Sequence, residues 1–184
     1  MKKFAIFLLI SAALVFAASG HSTTSYGGGQ PAIVEPGNRA AAFDSNKRLK
    51  GSEVTVQNIL KLLSGKNLGR IDEDGDLFVT DGNYKGYVYV YPDKKMVKIS
   101  ALWGGNLKVD ESVAIVVANE FNAGKVLGKA YYYQAEDGEG RMRLVYDFVY
   151  DDGVSAVFLN ETLNWFWALC SGFSSMINEK NLFE

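Results

Sequence analysis

Residues 84–103 read YKGYVYVYPDKKMVKISALW. From Tyr84 to Tyr91 the side chains alternate strictly, with Tyr87, Tyr89 and Tyr91 on one face and Val88 and Val90 on the other. A period of two belongs to a β-strand, whose successive side chains point to opposite faces. Pro92-Asp93 is turn chemistry. From Met96 to Trp103 the alternation resumes, with Val97, Ile99, Ala101 and Trp103 set against Lys98 and Ser100. The stretch therefore predicts two antiparallel strands, each with one face suited to a core.

Upstream, Leu77–Thr80 is a further short strand, joined to Tyr84 by the turn Asp81-Gly82-Asn83. The pieces make a three-stranded antiparallel meander. Before it, Val54, Val56, Ile59, Leu60, Leu62 and Leu63 recur at helical spacing, Ser52 or Thr55 can cap the start, and Gly65 and Gly69 punctuate the end. A first helix of about three turns is expected there. Downstream, Val113, Val116, Val117 and Phe121 predict a second helix over 110–122, capped by Asp110 and stopped by Gly124. Strands over 126–134 and 141–150 follow, joined by the polar turn 135–140. The last helix, over 155–178, contains one charged residue, Glu161. Leu159, Leu163, Phe166, Cys170, Phe173 and Ile177 trace one stripe along it, with Phe158, Trp165, Trp167 and Leu169 outside that stripe. The expected class is α+β: helix, three strands, helix, two strands, long C-terminal helix. No internal repeat at a fixed spacing is visible.

Residues 1–20 read as a signal peptide: Lys2 and Lys3, an uncharged run from Phe4 to Ala18, then small residues that allow cleavage near residues 17–20. A retained membrane anchor wants a longer apolar stretch, about 20 residues. A lipoprotein would need a cysteine just after the run, where none stands. Residues 21–50, with Gly27-Gly28-Gly29, Pro31 and Pro36, have the composition of a flexible tether. The folded domain is then expected over 51–184. Export places the mature protein in the periplasm or outside the cell, with no membrane span left after cleavage.

The 184 residues include 19 Lys and Arg against 21 Asp and Glu. Losing Lys2 and Lys3 with the signal leaves 17 against 21, a net charge of −4. No basic run exceeds two residues, so the composition speaks against a nucleic-acid partner. The lone Cys170 sits in the most apolar segment and is expected as a small buried hydrophobe, with pairing to another chain as the alternative. No metal site is expected. In Asp72-Glu73-Asp74-Gly75-Asp76, counted from Asp72, the glycine falls fourth rather than sixth, and Asn83 stands where a calcium loop needs Glu. The three glycines 27–29 lack the Lys-Ser/Thr of a phosphate cradle. His21 is the only histidine and lies in the tether, so no nucleophile–base pair is legible. Asp147 with Glu161 is the carboxylate pair considered for acid–base work. Asn160-Glu161-Thr162 is a glycosylation sequon. Asn119 and Asn122 share a helix face and are expected to tie down the following loop. The chain is expected to be non-catalytic and to need no cofactor.

Aromatic surface remains. Trp165, Phe166 and Trp167 are consecutive, and three successive residues on a helix cannot all face one way. The candidate protein-contact residues are Phe158, Trp165, Phe166, Trp167, Tyr87, Tyr89 and Tyr91. Three motifs, in order and at spacing, give the chain a family likeness: Asp72-Glu73-Asp74-Gly75-Asp76-Leu77, Ala118-Asn119-Glu120-Phe121-Asn122, and Asp152-Gly153-Val154-Ser155 leading into the last helix. With these, residues 52–178 resemble the YbjN family of bacterial sensory transduction regulators. The resemblance implies a fold similar to class I type III secretion chaperones, often dimeric, with a curved sheet against helices, and carries no catalytic residues. The expected function is an exported protein-binding module, contacting a partner or a second copy of itself through aromatic surface. The alternative is an exported holdase for unfolded or secreted proteins.

Overall fold

The computed structural model describes residues 44–184; the expected export signal, His21 and most of the expected tether lie outside them. Within that range the order is β1 (Arg48–Lys50), α1 (Val56–Leu60), β2 (Leu68–Ile71), β3 (Leu77–Thr80), β4 (Lys85–Tyr91), β5 (Met96–Gly105), α2 (Glu111–Ala123), β6 (Lys129–Gln134), β7 (Gly140–Val149), β8 (Gly153–Ser155) and α3 (Ala156–Glu179). Strands β2-β3-β4-β5-β7-β6, in that order, form one antiparallel sheet, and β1 pairs with β8 in a separate ribbon. The fold is α+β, an antiparallel sheet with three helices, of which α3 is 24 residues long.

The alternation in the sequence becomes the two faces of this sheet. Leu77 pairs with Val88, Val88 with Ile99, and Ala101 with Leu144, and all five are buried. The helices lie on that face. A Cβ on Gly86 of β4 would stand 2.8 Å from the Ser100 carbonyl and in contact with Phe166 and Trp167, so glycine lets α3 close onto the sheet. Farther along, Phe173 of α3 meets Trp103 of β5 edge-on at 5.1 Å and Phe121 of α2 at 4.9 Å. Each such ring contributes about 1.5–3 kcal/mol by leaving water. The expected α3 stripe is buried along its whole length, and Ser155 caps the start by accepting the Phe158 N–H.

The structure departs from the sequence reading in four places. Helix α1 has five residues instead of about three turns. The backbone beyond it is claimed by Asn160 of α3, which accepts from the Ser64 N–H and donates to the Leu62 carbonyl, so the chain turns off toward β2. Strand β2 was not expected; its pairing with β3 makes the acidic stretch the turn of a hairpin, in which the Asp72 carboxylate accepts the Asp76 N–H. Strand β1 falls inside the expected tether, with Leu49 buried and paired to Val154, so the folded part reaches upstream of residue 51. In α2 the buried stripe is Ala114, Val117, Ala118 and Phe121, and Val116 is half exposed.

Candidate protein-contact surface

The candidate aromatics divide between two surfaces and the core. Phe166 and Trp167 are 1% and 2% exposed, packed between α3 and the sheet, and are corrected from contact residues to core residues. The Trp167 indole N–H donates to Asn67 at 2.8 Å, which gives its one polar atom a partner. Trp165, by contrast, is 67% exposed and Phe158 45%. Positions 158, 161, 162, 165 and 169 follow one side of α3. Together with Leu127, Tyr146 and the otherwise buried Phe166 they line an apolar cleft of about 200 Å³, with the Glu161 carboxylate as its only charged lining group. Phe158 is held edge-on to Phe148 of β7 at 5.1 Å, so one wall of the cleft is anchored to the sheet. Leu127 and the fully exposed Val126 belong to the loop between α2 and β6.

That loop is fixed by Asn122. Its side-chain amide donates to the Ala130 carbonyl at 2.8 Å, and its oxygen accepts the Ala130 N–H at 2.7 Å. The side chain thus stands where a neighbouring strand would pair with β6. This is the expected role for Asn122; Asn119 is exposed.

The tyrosines lie on the other face of the sheet, which no described element covers. Tyr87 is 37% exposed, while Tyr89 and Tyr91 are half-buried. Tyr87 stacks on Tyr89 at 6.1 Å and takes the edge of Phe78 at 5.7 Å. Burial first, then the charge of Asp76, pushes the Tyr89 phenol up, so it stays a hydrogen-bond donor.

The other sites considered receive structural roles. Asp147 lies on the face turned from the helices and Glu161 on α3, so the sheet separates the two carboxylates. Asn160 is buried, its amide hydrogens given to Leu62 and Ala156 and its oxygen to Ser64 and Asn67, which leaves the sequon nitrogen inaccessible. Cys170 is fully buried, and burial, with the charge of Asp81 behind it, pushes its thiol well up. Pairing with another chain would require α3 to leave the sheet. Sequence reasoning missed Asn67, Leu127 and the structural role of Asn160: each lies in or contacts a loop whose position no periodicity reveals.

A family model described as "Putative bacterial sensory transduction regulator", named YbjN, matches residues 55–179. A search of curated proteins finds no match. Among solved structures, the chain is similar to "Crystal structure of YbjN, a putative transcription regulator from E. coli", with a TM-score of 0.53 and 13% identity over 63% of this chain and 86% of that one. At that identity the likeness speaks for the fold alone. The family match spans most of the chain and all three motifs, and the chain belongs to the YbjN family.

Proposed function

We propose that this YbjN-family protein is an exported, non-catalytic binding module that acts by docking a protein partner, or a second copy of itself, on the cleft beside α3. The observation that carries the reading is Trp165: a tryptophan two-thirds exposed, beside a partly exposed Phe158, on the rim of an apolar cleft. Exposed rings of this kind mark contact sites, because large apolar surface left in water is costly unless something covers it. The export half rests on residues 1–20. The non-catalytic half is supported by the separation of the candidate acids and by a family description that names no reaction.

Affinity capture from the host with the intact chain and with Trp165→Ala, alongside sedimentation of each, tests the reading. One captured partner, or self-association, that weakens by about 30-fold or more in Trp165→Ala supports it, the loss typical of a central aromatic contact. Identical behaviour of the two proteins overturns it. A holdase is the second reading, favoured by apolar side chains exposed on other surfaces too, among them Leu68, Ile115 and Val149. It predicts that the chain suppresses aggregation of several unrelated unfolded proteins, and that Trp165→Ala changes this little.

A further inference from the structure

We infer that the sheet face turned away from the helices docks an acidic, extended segment of a partner protein. The inference goes beyond the α3 cleft and rests only on the reading of the chain as a protein-binding module. Strand register fixes which side chains share this face. Arg70 pairs with Phe78, Phe78 with Tyr87, Tyr87 with Ser100, Ser100 with Val145, and Val145 with Lys129. One row therefore crosses the sheet with a cation at each edge and aromatic, small or apolar groups between. The adjoining row, two residues along each strand, carries Lys85 on β4 and Arg143 on β7. Neither row contains an acid. The acids nearest these rows flank them: Asp147 pairs with Lys98 in the row of Tyr89, where Asp76 also acts on the Tyr89 phenol, and at the opposite end Asp137 and Glu139 of the β6–β7 turn are taken up by Arg141.

These cations are not used up by the chain. Among the described residues, no carboxylate lies within ion-pairing distance of Arg70, Lys85, Lys129 or Arg143, whereas Arg141 is paired to Asp137 and Glu139. Arg143 donates to the Tyr133 hydroxyl at 3.0 Å, and its Nε finds no acceptor within the described residues. In a chain whose acids outnumber its bases, such a concentration of cations on a face that no described element covers favours a partner of opposite sign.

The rings say which kind of anion fits. Arg70 covers Phe78 at 5.1 Å, Arg143 covers Tyr133 at 5.0 Å, and Tyr87 and Tyr89 stack on each other. Nucleic-acid strands are held on free aromatic faces, which successive bases stack against. Here the chain occupies ring faces itself and leaves phenol hydroxyls, guanidinium and ammonium groups as donors. Carboxylates accept from all three. Six strands about 4.8 Å apart make each row about 24 Å long, the reach of about seven extended residues.

The test is fluorescence anisotropy with a labelled eight-residue oligoglutamate, a neutral Gly-Ser octapeptide and an eight-nucleotide single-stranded DNA, each titrated with the intact chain. Saturable oligoglutamate binding is expected, stronger than for either other probe, weakened by added salt and by about tenfold or more in Lys85→Glu/Arg143→Glu. If circular dichroism shows that variant unfolded, Lys85→Gln/Arg143→Gln serves in its place. Trp165→Ala should leave oligoglutamate binding unchanged, which separates this face from the α3 cleft. Equal binding of the neutral peptide, tighter binding of the DNA, no binding of oligoglutamate, or indifference to loss of the two cations overturns the inference. Capture that is the same with and without Trp165, with oligoglutamate binding intact, overturns only the cleft.

Discussion

Asn160 shows how much one side chain decides in this fold. It satisfies four backbone or side-chain groups, three from the loop after α1 and one from α3. Asn160→Ala leaves several of them buried without partners, and urea unfolding should report a loss of about 2–4 kcal/mol. Gly153 is a second such residue. Its φ is 122°, and a Cβ there would stand 1.8 Å from the Leu49 carbonyl oxygen. Gly153→Ala should unpair β1 from β8 and speed amide exchange at Leu49 and Val154, with the six-stranded sheet retained; unchanged protection at both would contradict this. The motifs that mark the family serve structure in the same way: Asp72 closes a hairpin, Asn122 occupies the free side of β6, and Gly153-Val154-Ser155 brings the ribbon to the start of α3.

Among the elements, those with long periodicity were legible in the sequence. Helix α3 repeats its apolar stripe over 24 residues, and β4 and β5 alternate cleanly, so each lies where the pattern places it. Strand β2 is a short edge strand with exposed Leu68 and Arg70, and β1 is shorter still; neither is long enough to show a period. In α2 the valines hid the phase, because the buried stripe runs through two alanines. Val116→Ser should therefore change stability by less than about 0.5 kcal/mol, while Val117→Ala costs about 1–3 kcal/mol by chemical denaturation. The start of α2 also carries a pH signature. Hydrogen bonds from Ser112, side chain first and backbone second, hold the Asp110 carboxyl below its ordinary value of 3.8. A lowered pKa stabilises the fold above the ordinary value and loses that effect as pH falls through the lowered one. Asp110→Asn, which keeps the cap but not the charge, should show a smaller loss of stability on acidification below about pH 4.

For the molecule as a single body, the sequence could say that Trp165, Phe166 and Trp167 do not all point inward, but not which one escapes. That depends on Gly86 admitting Phe166 and Trp167 to the sheet, and on Asn67 being in place to receive the Trp167 N–H. The cleft wall from Leu127 was invisible because Asn122, a side chain, positions the loop. The cationic rows on the opposite face appear only once β7 is known to insert between β5 and β6, which brings Arg143 into the row of Lys85. The described residues thus have one face of the sheet covered by helices, no described element on the other, and an apolar cleft at the side of α3.

Hydroxyl-radical footprinting of the chain inside its native host, set against the purified chain at low concentration, tests that cleft directly. Trp165 and Phe158 should be oxidised readily in the purified protein and protected several-fold in the host, while Trp167 stays unreactive in both. Equal oxidation of Trp165 in the two settings would mean that nothing covers it, and the contact surface proposed here would be wrong.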